Sequence, residues 1–187
     1  MKRALAFRLL LIFLTVFLHG CALFQSRTAH ILWPSTIDYM DAVCELTVSS
    51  RDFRYSGEMS LKLDYPQTFK AEVYGPFGDT IVSIAKQDGQ FSMKTGTEDV
   101  QDEERFWDMF HISVDDFIND ITLRGNMQQD STGTSFIQRT YYRVLYELDR
   151  PEPTIRWIST QGNIVIKFLE ANFEKGRSVG NRSNNPM

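Results

Sequence analysis

The chain has 187 residues, with 20 Lys and Arg against 24 Asp and Glu, a length that suits one domain. Removing residues 1–20 takes away Lys2, Arg3 and Arg8 and leaves a net charge of −7. That balance argues against nucleic acid as a partner, which needs a basic patch, and against a broad basic surface for anionic lipid. Fourteen Phe, seven Tyr and three Trp supply enough aromatic material for a sizeable core or an apolar groove.

In chain order, Lys2, Arg3 and Arg8 form a basic start, Leu9–Leu18 an uncharged apolar run, and Gly20-Cys21 its end. That is the layout of a secretory signal; the run falls short of the ~20 apolar residues a comfortable membrane span needs. The stretch Leu18-His19-Gly20-Cys21 resembles the lipobox of bacterial lipoproteins, with His19 where that motif usually has a small residue. The resemblance implies cleavage before Cys21, a diacylglycerol on its sulfur and an acylated new N-terminus. Ala22 rather than Asp after the cysteine implies, under enteric-type sorting, the outer membrane, with the protein facing the periplasm. Cys44, the other cysteine, then has no intramolecular partner and reads as a small buried apolar residue.

Residues 21–34 read as a lipidated tether ending at Pro34. Ser35 with Asp38 has a capping-box pattern, and Ile37, Met40, Val43 and Cys44 recur at helical spacing, which predicts a short helix. From about Thr47 the period becomes two. Met59, Leu61 and Leu63 alternate with polar residues, as do Phe69, Ala71 and Val73; turns fall at Tyr65-Pro66-Gln67, Gly75-Pro76-Phe77-Gly78 and Asp88-Gly89. Strands over Thr80–Lys86 and Gln90–Thr95, the latter with Phe91 and Met93 on one face, complete a four-stranded antiparallel meander. Residues 96–104 are acidic and read as a solvated loop. A short helix carrying Phe106, Trp107, Met109 and Phe110 follows. A second begins at Ser113, with Val114, Phe117, Ile118 and Ile121 at i, i+3, i+4 and i+7 and Gly125 as its stop. Strands resume over Ser135–Leu148, Ile155–Trp157 and Asn163–Leu169, and residues 174–187 read as a frayed tail. Helices on one side of an antiparallel sheet predict an α+β domain over residues 35–173.

Catalytic signals are sparse. The three histidines are scattered and none pairs at metal-ligand spacing. No nucleophile elbow or phosphate loop is present, and Asp115-Asp116, adjacent on a helix, point in different directions. The chain reads as non-enzymatic, with no cofactor and no metal. Its apolar sheet face is either an ordinary filled core or an open trough suited to acyl chains; periodicity reads the same for both.

The passage Phe53–Met93, with its Asp64-Tyr65-Pro66, Gly75-Pro76-Phe77-Gly78 and Asp88-Gly89 turns, and the later Ile112–Phe117 helix start before Gly125, resembles the LolB-type outer-membrane lipoproteins and the wider group that includes LolA-type carriers. The resemblance spans most of the mature chain. It implies an incomplete antiparallel β-barrel, a half-barrel, with helices as a lid over an apolar cavity. It also implies lipoprotein or lipid transfer to the outer membrane, acyl chains or lipoprotein cargo as ligand, and a periplasmic LolA-like carrier as partner. In that scheme Phe77 is the membrane-inserting turn residue. Met59, Leu61, Leu63, Phe69, Ala71, Val73, Phe91 and Met93 line the cavity, with Phe117 and Ile121 on the lid. The alternative is a non-catalytic, lipid-anchored scaffold of an envelope complex with a filled core. A lipid-acting enzyme would require a buried polar constellation in the interior.

Overall fold

The computed structural model describes residues 31–50 and 54–176. The expected signal peptide, Cys21 with its expected lipid, the expected tether as far as His30 and the expected tail from 177 onward lie outside the described residues.

Alternation of buried and exposed side chains runs through most of the chain and produces eleven strands. On one wing these are β1 (Tyr39–Ser50), β2 (Arg54–Asp64), β3 (Thr68–Tyr74), β4 (Thr80–Gln87), β5 (Gln90–Thr95) and β6 (Asp99–Val100). Two helices follow, α1 (Glu104–Phe110) and α2 (Val114–Ile121). The return wing is β7 (Gln128–Gln129), β8 (Ser135–Gln138), β9 (Tyr142–Glu147), β10 (Thr154–Ser159) and β11 (Gly162–Asn172). All belong to one open antiparallel sheet in the order β6-β5-β4-β3-β2-β1-β11-β10-β9-β8-β7. The chain steps outward from β1 to β6, crosses through the helices to the opposite edge, and steps back until β11 pairs with β1 over ten residue pairs.

This corrects the expected fold class. The molecule is mostly β, not an α+β half-barrel with helices as a lid over an apolar cavity. One predicted helix does not exist: Met40, Ala42 and Cys44 point inward at period two and belong to β1. Their continuation through Val48 as one strand outweighs the coincidental helical spacing of Ile37, Met40 and Cys44. The two helices among the described residues have seven and eight residues, the longer about 12 Å in length. Eleven strands at about 4.8 Å spacing form a surface several times wider, so the helices cannot roof it.

The sheet itself bends around α2. The Phe117 ring lies 6.0 Å from Phe69 on β3 and 4.8 Å from Trp157 on β10. Those two rings are therefore no more than about 11 Å apart, whereas strands four places apart in a flat sheet lie about 19 Å apart. The curl brings both wings onto one helix, and the interior is filled by side chains from all three.

Turn chemistry fixes the register. Asp88 and Gly89 both take positive φ (50° and 82°) between the paired Gln87 and Gln90, the requirement of a two-residue hairpin of the primed type. Gly162 sits at φ 156°, where a Cβ would meet the Ser49 carbonyl oxygen at 2.0 Å, so the β1–β11 seam closes tightly only with glycine there. Ser135–Leu148, expected as one strand, is a hairpin: Arg139 N–H donates to the Tyr142 carbonyl at 2.9 Å and the chain reverses without Gly or Pro. Trp33, at the end of the expected tether, is seated on the domain, its ring 4.8 Å from Phe168 and 5.2 Å from Phe173.

Candidate functional site

The ten interior residues singled out in the sequence do come together. Met59, Leu61 and Leu63 on β2, Phe69, Ala71 and Val73 on β3, and Phe91 and Met93 on β5 share one buried cluster with Phe117 and Ile121 of α2. Direct pairing explains it: Met59 faces Val73, Leu61 faces Ala71 and Leu63 faces Phe69, and residues opposite one another on one face are in contact. The cluster is packed. Phe106 reaches Phe91, Phe110 and Phe117 edge-on or tilted, at 6.4, 5.1 and 5.8 Å. These residues therefore form a solid apolar face with α2 seated in it. An apolar recess between Val48, Phe110, Ile112 and Trp157 has a volume of about 20 Å³, room for about one water.

Phe77 has the opposite environment. It is 95% exposed, the most exposed large apolar side chain among the described residues. Its turn is closed twice, by Gly78 N–H donating to the Gly75 carbonyl at 3.0 Å and Gly75 N–H donating to the Asp79 carbonyl at 2.8 Å. Pro76 at the second position has the φ such a turn requires. The ring is presented outward on a constrained tip, not folded back on the sheet.

The feature that sequence reading missed is Asp120, which is fully buried. Arg139 donates to its Oδ1 through Nη2 at 2.7 Å and Nε at 3.2 Å. The Tyr142 hydroxyl and Trp157 Nε1 each donate to Oδ2 at 3.1 Å, and the Tyr146 hydroxyl donates to the Asp120 carbonyl at 3.1 Å. Burial pushes the carboxyl above its ordinary range, opposed by Arg139, Trp157 and Tyr142. Burial likewise pushes up the Tyr142 and Tyr146 hydroxyls, with the Asp120 charge adding to it. Every side-chain partner donates to the carboxyl, which offsets part of the cost of burying its charge. The network ties α2 to β9 and β10 and to Arg139 of the β8–β9 turn.

Asp115 and Asp116 do diverge, and each reaches a different wing. Asp115 accepts from Lys86 of β4 at 2.7 Å, Lys86 also reaching Glu103 at 2.8 Å. Asp116 faces Arg139 at 3.2 Å. Ser113 caps α2 as its sequence predicts, accepting from the Asp116 N–H at 3.0 Å. Gly125 does not stop the helix, which ends at Ile121. Its missing side chain leaves room for Ile137, whose Cδ1 lies 2.4 Å from where a Cβ would be. Burial pushes the Cys44 thiol far up, so it is inert there. Among the described residues no group of three or more His, Cys, Asp or Glu could hold a metal, and no helix is long and apolar enough to cross a membrane.

No protein-family model matches the chain, and no curated protein matches it either.

Proposed function

We propose that the chain is a non-catalytic, lipid-anchored protein of the cell envelope that assists transfer of acyl-bearing cargo, a lipoprotein or another lipid, into the outer membrane. Cys21 carries the anchor, and a LolA-like periplasmic carrier supplies the cargo. The observation that carries this reading is Phe77, a fully presented ring on a doubly closed turn. An apolar side chain held in water has a use where it can leave water. Burying it in a bilayer contributes about 1.5–3 kcal/mol, enough to bias an encounter without anchoring the protein. Cargo chains take the apolar face of β2, β3 and β5 by displacing α2 side chains, since that face is already filled. Transfer follows the differential affinity of the chains for carrier, sheet and membrane.

The test is transfer of a purified lipoprotein from its carrier to vesicles bearing the lipidated protein. Phe77→Ser is expected to lower vesicle engagement by about ten- to a hundredfold with the melting temperature unchanged. Transfer unaffected by that substitution would remove Phe77 from the mechanism.

The filled interior supports a second reading, a lipid-anchored scaffold in an envelope complex. Native mass spectrometry on the Cys21→Ser mature chain separates the two. Co-purifying lipid that is lost in Leu61→Asp favours the carrier; a folded chain that stays empty with added acyl chains favours the scaffold.

A further inference from the structure

The β3–β4 turn shares its end of the sheet with other features. Ser50 pairs with Gly162, Ile158 with Asn163, and Ser159 with Tyr142. The β8–β9 turn, residues 139–141, therefore opens at the same end as the β10–β11 turn. Antiparallel alternation puts the β3–β4 turn at that end too. Val73 is level with Met59 and Cys44; Phe77, four residues further, rises at most to the level of Val48, about 7 Å short of Tyr142. The two turns belong to opposite wings.

Helix α1 brings its C-terminal half to the same end. The Trp107 ring lies 5.5 Å from Tyr141 and 5.6 Å from His111. Tyr141 is 57% exposed and Met109 39%. Met109 and Phe110 also border the small apolar recess beside Val48 and Trp157. An aromatic patch with an apolar recess next to it thus stands across from Phe77.

We propose that Trp107, Met109 and Tyr141 form a second bilayer contact, which together with Phe77 sets the domain upright on the membrane. The inference rests on the reading of the chain as lipid-anchored and names how that domain sits. Three arguments favour a lipid surface as the occupant. Trp and Tyr combine an apolar ring with a polar tip, the pairing that suits the membrane–water interface. Arg139, the basic side chain beside Tyr141, is held by Asp116 and Asp120, so it is not offered to an acidic protein partner. The chain from Cys21 to Ile31 is ten residue steps, reaching at most about 33–36 Å, so a lipid on Cys21 leaves this end within reach of the bilayer. One contact lets a tethered domain pivot; two on opposite wings do not.

The experiment places the full lipidated chain in zwitterionic vesicles whose acyl chains are brominated near the headgroup, and reads tryptophan quenching. The expected result is a quenched component that disappears in Trp107→Phe. The exposed-site double substitution Met109→Ser with Tyr141→Ser is expected to shift the docked-to-undocked ratio by about tenfold, at unchanged melting temperature. Quenching that is the same in Trp107→Phe as in the wild type overturns the second contact. If Phe77→Ser still impairs transfer in that case, the proposed function stands without it; if neither matters, both fall. Concentration-dependent self-association abolished by the Met109 and Tyr141 substitutions, with no lipid quenching, would reassign the patch to a second copy of the chain.

Discussion

At the scale of single residues, Asp120 concentrates the most free energy in the fewest atoms. A buried carboxylate that accepts from Arg139, Tyr142 and Trp157 leaves three donors stranded when it is removed. Breaking such a pair from one side costs about 3–5 kcal/mol, so Asp120→Ala is expected to lower the unfolding free energy by that amount in urea titration. Asp120→Asn should fall part of the way, because an amide oxygen that keeps Arg139 turns the NH2 to Tyr142, whose hydroxyl oxygen can accept, and leaves the Trp157 N–H without an acceptor. The pH dependence has a definite sign. A carboxyl whose value is raised by burial holds its proton more readily in the folded than in the unfolded state. Stability from this group is therefore fully present below its ordinary value of 3.8 and is lost as pH rises through the folded value. The stability difference between the wild type and Asp120→Asn should shrink across that rise; a difference that is flat or grows with pH would contradict the assignment. The sequence contains one hint of this site. Asp120 lies three residues after Phe117, on the flank of an apolar helical face where a polar residue needs a partner. The partners lie 19, 22 and 37 residues away, beyond any local pattern.

Between elements, α2 is held unequally by the two wings. On the β9–β10 side the Asp120 network is buried. On the β4 side Lys86 meets Glu103 and Asp115, which are partly or largely exposed, and pairs of that kind contribute about 1 kcal/mol or less. Lys86→Met keeps the buried stem and removes only the charge. It is expected to lower global stability by less than about 1 kcal/mol while speeding amide exchange in β4, β5 and the start of α2, with β9 and β10 unchanged. Equal acceleration on both wings would mean that the interior opens as one unit. α2 itself was legible, because Val114, Phe117, Ile118 and Ile121 recur at helical spacing behind a Ser113 cap. So was the β2–β5 meander, whose turns carry Pro and Gly. Two elements were not. Met40 and Cys44, four apart, fit both periods, Ile37 three residues earlier favours the helix, and only the length of β1 decides. The Arg139–Tyr141 reversal lacks a breaker residue, so a hairpin reads as one long strand. Whether the interior is filled was also illegible, since inward-facing residues alternate in the same way over a packed core as over a trough.

For the whole molecule, the register relates the Phe77 end, which the proposed function sets on the membrane, to the point where the chain leaves the domain. Trp33 is seated on Phe168, which pairs with Cys44, which pairs with Met59, which pairs with Val73. Trp33 thus stands at the level of Val73, and Phe77 lies up to about 13 Å further along the strands. With Ile31 two residues before Trp33, a domain standing on its Phe77 end holds Ile31 up to about 20 Å above the bilayer. Ten residues from Cys21 cover that height; four, reaching about 13–14 Å, do not. Deleting residues 23–28, which keeps Ala22 beside the lipidated cysteine, is therefore expected to leave the protein lipidated and membrane-bound but confined to lying on its side. Phe77-dependent transfer and Trp107 quenching should both drop to the level of the Phe77→Ser variant. Six Gly and Ser residues inserted in place of the deleted ones should restore them, because the requirement is for reach and not for sequence. Full activity in the shortened chain would mean either that Ile31 leaves the domain nearer the Phe77 end than that height, or that contact through the Phe77 end is dispensable.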